Sequence, residues 1–436
     1  MKRAHQASAA FVLFFAVAAA IVLFVARNNT VPPEIAARNG VVSPAGFFVN
    51  TMKSEEYYRE QIARNPKSAG NYVKLAQLQL QMARQTGDEL RYIPEAKSLV
   101  SEALHWNPND YTAHVLEATI LNAQHRFDEA AQKLDALIRA NPHHAYLRGA
   151  MVDALVETGR YDEAIRQSDT MQAIRPGLSS YARAAYLREL HGDNGGAIAA
   201  MRMAANAGAI GSPDRAWALY QYGMLMLRTG KTAAAEAIFN GIIEERPDYS
   251  MALVGIAATA LADDRYSEAL EIAINGYEAT RRIVFLEQAL EARMALGETD
   301  LSDEIATIKR SFHDAEDSGE IIDMEYADFL ADHEMDLGEA LQRINREVAR
   351  RPNHLHVIET HAWVLHKLGR SGEALATVRK AMRLGRKDAK LYYRASIIAD
   401  SVGAKAEARQ WRMKALRYNL KNESVTSWMD LRERMN

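Results

Sequence analysis

The sequence predicts an all-α solenoid, a row of helix–turn–helix units preceded by one transmembrane helix. Proline recurs every 34 residues, from Pro108 to Pro142 and again to Pro176. A short pattern also recurs, in which a turn leads to an acidic residue and an alanine, and "TGRYDEAI" (158–165) is its clearest copy. A fixed period of this length is the signature of stacked repeats, each of which is too small to bury its apolar face alone.

Composition excludes several classes of function. The 436 residues carry 53 basic and 56 acidic side chains, for a formal net charge of −3. This balance gives no basic excess with which to neutralise phosphates, so we expect no nucleic-acid partner. The chain has no cysteine, which excludes disulfides, thiolate zinc sites, cysteine nucleophiles and lipid attachment through cysteine.

The N-terminal segment is predicted to anchor the chain in a membrane. Residues 9–26 contain no charged or polar side chain, and as a helix they would rise about 27 Å, close to the ~30 Å hydrocarbon thickness. A cleaved signal peptide is one alternative, since Ala18 and Ala20 form an Ala-x-Ala pattern, and a buried helix of a soluble protein is another. Lys2 and Arg3 favour a cytoplasmic N-terminus, which places the repeats on the other side, in the periplasm of a bacterial cell.

A linker is expected between this anchor (residues 1–27) and the repeats. Residues 28–52 hold three prolines and two glycines without a helical period, a composition typical of a tether. A helix over residues 53–64 then opens the array as half a repeat.

Ten repeats follow, and three of their positions have a physical explanation. Positions are counted from the third residue after each proline. Positions 8 and 20 hold small side chains because the two helices pack closely there, and a larger side chain would overpack the crossing at a cost of about 1–3 kcal/mol. Position 15 is often glycine, which ends the first helix in a left-handed conformation. The alanines at position 20 are Ala96, Ala130, Ala164, Ala197, Ala235, Ala269, Ala340, Ala374 and Ala408, and the glycines at position 15 are Gly159, Gly192, Gly230, Gly369 and Gly403.

These positions together resemble the tetratricopeptide repeat family, which packs two antiparallel helices in every 34 residues. The resemblance covers residues 55–420 and implies a right-handed superhelix whose first helices line a concave groove for peptides or partner helices. The seventh repeat (283–320) departs from the pattern, because it lacks the alanine and the proline. We therefore expect a joint there, between sub-arrays at 53–282 and 321–420, and a C-terminal capping helix at 421–436.

No catalytic residue, cofactor site or metal site is predicted. "RTGKT" (228–232) has the end of a phosphate-binding loop, but Leu225 stands where that loop requires glycine. His356 and Glu359 could share a helical face as metal ligands do, yet no third ligand follows at a suitable spacing. Because the repeats use nearly the whole chain, we expect a binding protein and not an enzyme.

The groove positions follow from the repeat register and give ten candidate partner-binding residues. Aromatic side chains are the type that dominates binding energy at interfaces, although the same rings could simply pack against the next repeat. The candidates are Asn122, Asp153, Tyr186, Trp217, Tyr220, Met224, Arg228, Phe329, His356 and Trp363.

The sequence therefore predicts a membrane-anchored scaffold that binds a protein partner in its groove. Such a scaffold would assist the assembly or secretion of a cell-envelope component. The alternative is a carbohydrate-binding accessory of exopolysaccharide export or cell-wall synthesis, because groove aromatics stack on sugars as readily as on peptides.

Overall fold

The computed structural model describes residues 44–86 and 89–435. The chain divides into two compact units, residues 1–50 and residues 51–436. The described part contains 23 helices and no strand, so the predicted all-α class is confirmed. Among these helices none combines the length and apolarity needed to cross a membrane. The predicted transmembrane segment at 9–26 lies outside the described residues.

Helix α1 (Pro44–Arg64) precedes the repeats, so the last part of the predicted linker is helical. Twenty helices then pair into ten hairpins, numbered 1 to 10. Hairpins 1 to 5 are α2 (Ala69–Thr86) with α3 (Glu89–Trp106), α4 (Tyr111–Ala123) with α5 (Phe127–Ala140), α6 (Ala145–Glu157) with α7 (Tyr161–Ile174), α8 (Leu178–Leu190) with α9 (Asn194–Ala207), and α10 (Pro213–Arg228) with α11 (Thr232–Glu245).

The remaining hairpins continue in the same order and are followed by two short helices. Hairpins 6 to 10 are α12 (Met251–Ala262) with α13 (Tyr266–Thr280), α14 (Ile283–Ala295) with α15 (Ser302–Asp317), α16 (Asp323–Asp332) with α17 (Leu337–Arg350), α18 (Leu355–Lys367) with α19 (Ser371–Ala381), and α20 (Ala389–Ser401) with α21 (Lys405–Arg417). The C-terminal helices are α22 (Leu420–Glu423) and α23 (Val425–Met435).

The small residues of the repeat lie where the two helices of a hairpin meet. All nine alanines at position 20 are between 0% and 2% exposed. The five glycines at position 15 have φ between +73° and +79°, as a left-handed helix end requires. The acidic residue of the pattern pairs with the arginine that immediately precedes the second helix: in hairpin 3, the Arg160 guanidinium donates to the Glu163 carboxylate at 2.6 Å and 2.8 Å.

The predicted joint at residues 283–320 is itself a hairpin, α14 with α15. It keeps a left-handed turn glycine, Gly297, with φ +85°. Its second helix is thinly packed, since Ile308 and Ala315 are the buried residues of α15. Four of its buried residues, Leu286, Leu290, Ile308 and Ala315, belong to the same core cluster as those of hairpins 8 to 10.

The array curves so strongly that early hairpins contact much later parts of the chain. His125 Nδ1 donates to the carbonyl oxygen of Ile321, 196 positions on, at 2.8 Å. The backbone N–H of Leu355 donates to the Tyr161 hydroxyl, 194 positions earlier, at 3.0 Å. At hairpin 4, a Cβ on Gly192 would lie 2.3 Å from the carbonyl oxygen of Gly385. Turns of the first hairpins therefore stack on turns of the last ones.

Candidate functional site

A cavity of about 900 Å³ lies on the face formed by the first helices of hairpins 7 to 10. Helices α14, α16, α18 and α20 supply its walls, and α23 closes one side. Phe329, His356 and Trp363 of the ten predicted groove residues line it, together with the aromatic residues Phe312 and Tyr393. We call this space the main cavity.

The lining of the main cavity contains more carboxyl groups than basic groups. Eight acidic side chains face three basic ones. The acidic residues are Glu287, Glu291, Glu325, Asp328, Asp332, Glu359, Asp388 and Asp430, and the basic residues are Lys367, Lys390 and Arg394.

Two of these carboxylates form an ion network with a buried arginine of α20. The Arg394 guanidinium, whose side chain is 3% exposed, donates to Asp328 at 2.7 Å and 2.9 Å and to Asp332 at 2.9 Å. The Lys390 ammonium lies 2.9 Å from Asp332. Burial alone would raise the pKa of Asp328, but the positive charges of Arg394 and Lys390 outweigh it and lower that pKa. Both aspartates therefore stay ionised and neutralised by protein groups.

Trp363 joins this network and is held in the cavity wall. Its indole N–H donates to Asp332 at 2.7 Å, and its ring stacks on His366 with centroids 5.3 Å apart. Lys367 and Arg394 both lie over the indole, at 4.7 Å and 5.4 Å from the centroid. Trp363 is only 4% exposed, so packing accounts for most of its surface.

An arginine takes the place that a metal ion would need between His356 and Glu359. The Arg386 guanidinium forms an ion pair with Glu359 and lies 2.7 Å from Nε2 of His356. Burial and the charge of Arg386 lower the pKa of His356 to about 3, so the imidazole is neutral and accepts a hydrogen bond. The shared helical face predicted from the sequence therefore binds a guanidinium.

For two further carboxyl groups, neighbouring positive charges do not outweigh the effect of burial on the pKa. Glu287 lines the cavity and is exposed to it. Desolvation in the cavity raises the pKa of Glu287 to about 7. The negative charges of Asp328 and Glu291 act in the same direction, and the positive charge of Lys390 acts in the opposite one. Oε2 of Glu325 is buried and has no hydrogen-bond partner among the described residues, and burial raises the pKa of its carboxyl group. Both groups can receive a cationic or hydrogen-bond-donating ligand.

A second cavity, of about 630 Å³, adjoins the main one. The two share Met324, Glu325 and His356 as lining residues. Its other wall comes from hairpins 2 to 4, where it is lined by the predicted groove residues Asn122, Asp153 and Tyr186. The curvature of the array therefore brings six of the ten predicted residues around two adjoining cavities.

Polar contacts already occupy two of those residues in the second cavity. The Asn122 side-chain amide donates to the carbonyl oxygen of Ala150 at 3.0 Å. Asp153 forms an ion pair with Arg183 at 2.6 Å. Each contact links one hairpin to the next, so these side chains stabilise the stacking as well as lining the cavity.

The four predicted residues on α10 line neither cavity. Trp217 is 43% exposed. Tyr220 packs with Met224 against the core of hairpin 5, its ring centroid 6.0 Å from that of Phe239. Arg228 forms an ion pair with Glu189 of α8 at 2.6 Å.

The C-terminal helices are part of the site, which the sequence reasoning did not foresee. They pack against α10, α12, α14 and α20, all of which are first helices. Ser424, Thr426, Ser427 and Asp430 line the main cavity. The predicted cap at the end of the array therefore runs across its inner face.

Family comparisons agree with the repeat pattern. Models described as tetratricopeptide repeat match residues 93–145, 121–188, 216–240 and 360–380. These matches support the tetratricopeptide repeat family. The segments matched include hairpins on both sides of the seventh one.

A sequence relative and two solved structures are also similar. "Cellulose synthase operon protein C" of Pseudomonas fluorescens (strain SBW25) is 25% identical over 251 residues, which cover 52% of this chain and only 19% of that protein. A tetratricopeptide repeat protein from Parabacteroides merdae ATCC 43184 is 15% identical, with 66% of this chain and 98% of that chain covered and a TM-score of 0.36. The structure of Naa15/Naa10 bound to HypK-THB is 13% identical, with coverages of 84% and 67% and a TM-score of 0.28.

Proposed function

We propose that this chain is a membrane-anchored interaction scaffold that holds a segment of a protein partner in the main cavity. The observation that carries the proposal is the cavity itself, about 900 Å³ of space on the first-helix face. Its walls combine aromatic rings with carboxyl groups, the pairing that suits a peptide with both apolar and polar contacts. Proteins of the tetratricopeptide repeat family generally act by binding protein partners, and we assign this chain no catalytic step.

The charge of the cavity indicates what the partner segment presents. Asp328 and Asp332 are already neutralised by Arg394 and Lys390, whereas Glu287 and Glu325 are left to pair with a ligand. A lysine or arginine of the partner would place its charge against these two carboxyl groups and its aliphatic stem against the aromatic wall. The proposed segment is therefore cationic.

The envelope setting rests on two features of the sequence. The apolar run at residues 9–26 supports a single-pass anchor, with the repeats on the periplasmic side. The similarity to a relative named for a cellulose synthase operon fits work on an exopolysaccharide or another envelope component. We therefore propose assistance in the assembly or secretion of such a component.

A second candidate function is carbohydrate binding as an accessory of exopolysaccharide export or cell-wall synthesis. The name of that relative favours it, and the cavity lining includes Phe329 and Tyr393, whose side chains are of the type that stacks on sugars. Calorimetric titration of the full chain with β-glucan oligosaccharides separates the two candidates. Saturable heat, accompanied by a change in tryptophan fluorescence, supports the carbohydrate function.

The protein-scaffold proposal is tested by crosslinking in cells, followed by affinity capture and mass spectrometry. The test variant is Glu287→Lys, which reverses the charge of a residue exposed to the cavity. The matched control is Glu278→Lys, on the outer helix α13 and likewise exposed. We expect a partner that is captured by the wild type and the control and lost from the Glu287 variant.

Two other outcomes contradict this placement of the partner. Equal capture by all three chains removes the main cavity from the binding site. Loss of the partner from a Trp217→Ala/Tyr220→Ala variant, with capture by the Glu287 variant intact, moves the site to α10.

A further inference from the structure

We infer that the C-terminal segment, residues 419–435, is a built-in occupant of the first-helix face that a partner helix of the same chemistry replaces. The inference rests on the proposed function, in which the partner binds at this face. The contacts that define what this surface accepts come from hairpins 5, 6, 7 and 10.

The N-terminal end of α23 docks on a carboxylate of hairpin 7. Glu291 accepts the backbone N–H of Val425 at 2.7 Å and the Ser424 hydroxyl at 3.2 Å. The first amides of a helix have no partner within that helix, and a carboxylate placed there satisfies them and interacts favourably with the helix dipole. Glu291 thus caps a helix that belongs to a distant part of the chain.

Apolar side chains then enter the array behind this cap. Val425 is 1% exposed and packs with Ala260, Leu261 and Ala292 of hairpins 6 and 7. Leu431, six positions on, is fully buried in the core of hairpins 7 to 10. Burying apolar side chains of this size stabilises the contact.

Polar contacts fix the rest of the segment to hairpins 5, 6 and 10. The Asn422 side-chain amide donates to the carbonyl oxygen of Leu227 at 2.8 Å. Lys421 forms an ion pair with Asp264 at 2.6 Å. The Tyr393 hydroxyl donates to Asp430 at 2.8 Å.

The segment depends on these contacts for its own structure. Helix α22 has four residues and α23 has eleven, and isolated helices shorter than about 12–15 residues are marginal in water. Residues 419–435 belong to none of the ten hairpins, so the segment can leave the face without unfolding one. A displacing helix needs free N-terminal amides for Glu291, a β-branched side chain for the alanine-lined pocket and a larger apolar side chain for the core.

The experiment uses the full chain, solubilised in detergent, and a fluorescent synthetic peptide of residues 419–436 as the probe. In the variant Val425→Asp, an added charge expels the chain's own segment while the receiving surface is unchanged. We expect the peptide to bind this variant about tenfold or more tighter than the wild type, in which the face is already occupied. Adding Glu291→Gln to the same variant should weaken peptide binding about tenfold.

Equal binding of the peptide to wild type and variant overturns the inference, as does binding that ignores Glu291→Gln. Circular dichroism checks that the variant is folded. Hydrogen exchange of the wild-type chain gives an independent reading: excess unlabelled peptide should speed the exchange of the α23 amides and leave those of α20 unchanged. Unaltered exchange in α23 also overturns the inference. Neither measurement requires the natural partner, so failure here is distinct from failure of the crosslinking test.

Discussion

Hairpins 2 to 6 and hairpins 7 to 10 are built alike, apart from the degenerate seventh repeat, but pack in different ways. In hairpins 2 to 6 the buried apolar residues fall into several separate clusters. In hairpins 7 to 10 most of them form one cluster, which runs from Leu286 to Leu431 and includes Leu420 and Leu431 of the C-terminal segment. The first region therefore has several small clusters, two of which also include Leu355 and Val425 from later parts of the chain, whereas the second has one large core.

Buried arginines paired with carboxylates are more numerous in the second region than in the first. The turn pair Arg160–Glu163 of hairpin 3 is largely solvated, with side chains 48% and 43% exposed. In hairpins 8 to 10, the side chains of Arg343, Arg386 and Arg394 are almost completely buried among carboxylates. Removing charges from water is costly, so such a network indicates a region whose geometry is specified for more than stability. The same region contains the main cavity.

The largest difference between the regions is expected from removing one arginine of each kind. Arg394→Met removes the buried guanidinium that Asp328 and Asp332 share, and because both carboxylates are partly exposed it should lower the free energy of unfolding by about 2–3 kcal/mol. Arg160→Met removes a solvated pair and should cost about 1 kcal/mol or less. Urea unfolding followed by circular dichroism measures both. Equal losses would mean that the two regions do not differ in how their charges contribute to stability.

A second pair of variants tests the contact between the two regions. Gly159 and Gly369 occupy the same turn position, with φ +73° and +77°. A Cβ on Gly159 would lie 2.4 Å from the backbone of Asn353, whereas a Cβ on Gly369 meets nothing within 4 Å. Gly369→Ala should therefore cost only the backbone strain of about 1–2 kcal/mol, and Gly159→Ala roughly twice that, because it also separates the stacked turns.

The separation has its own signature in hydrogen exchange. The backbone N–H of Leu355 donates to the Tyr161 hydroxyl across this contact, so its exchange should accelerate in the Gly159 variant and stay unchanged in the Gly369 variant. Similar exchange in both variants would show that the turns of hairpin 3 and of residues 351–355 open independently of Gly159.

Local features of the fold could be predicted from the sequence because they depend on neighbours. The alanine at position 20 and the glycine at position 15 act within one hairpin, and Ala164 and Gly159 have the burial and the backbone conformation expected of them. The register also placed Phe329, His356 and Trp363 on the inner face, where they line the main cavity.

Features that join distant hairpins could not be predicted in this way. Arg394 and Asp328 are 66 positions apart, and Glu291 meets Val425 across 134 positions. Contacts at such distances depend on the curvature accumulated over several hairpins, which a periodic pattern does not specify. The same curvature leaves Trp217 outside both cavities. The sequence did contain one signal of this ion network. Asp328 with Asp332, and Lys390 with Arg394, are pairs of like charge four residues apart on first helices. Such pairs repel each other unless water or an opposite charge lies beside them.

The smallest expected effect lies at the boundary between the two regions, where Glu287 of hairpin 7 faces the main cavity. Its pKa is raised from 4.5 to about 7, so between these values the folded chain holds a proton that the unfolded chain releases. Stability should therefore fall as pH rises through this window. Glu287→Gln should remove that part of the pH dependence. Because the side chain is exposed, we expect the change in Tm between pH 5 and pH 7.5 to differ from wild type by less than about 2 °C.

The control for this prediction is Glu278→Gln, on the solvated helix of hairpin 6, which should leave the pH profile of Tm as it is in the wild type. Differential scanning calorimetry of the three chains measures the differences. If the Glu287 and Glu278 variants behave alike, the cavity does not desolvate Glu287. That carboxyl group would then be ionised and hydrated at neutral pH. A cationic partner would have to displace water from it, which would weaken the argument that the partner segment is cationic.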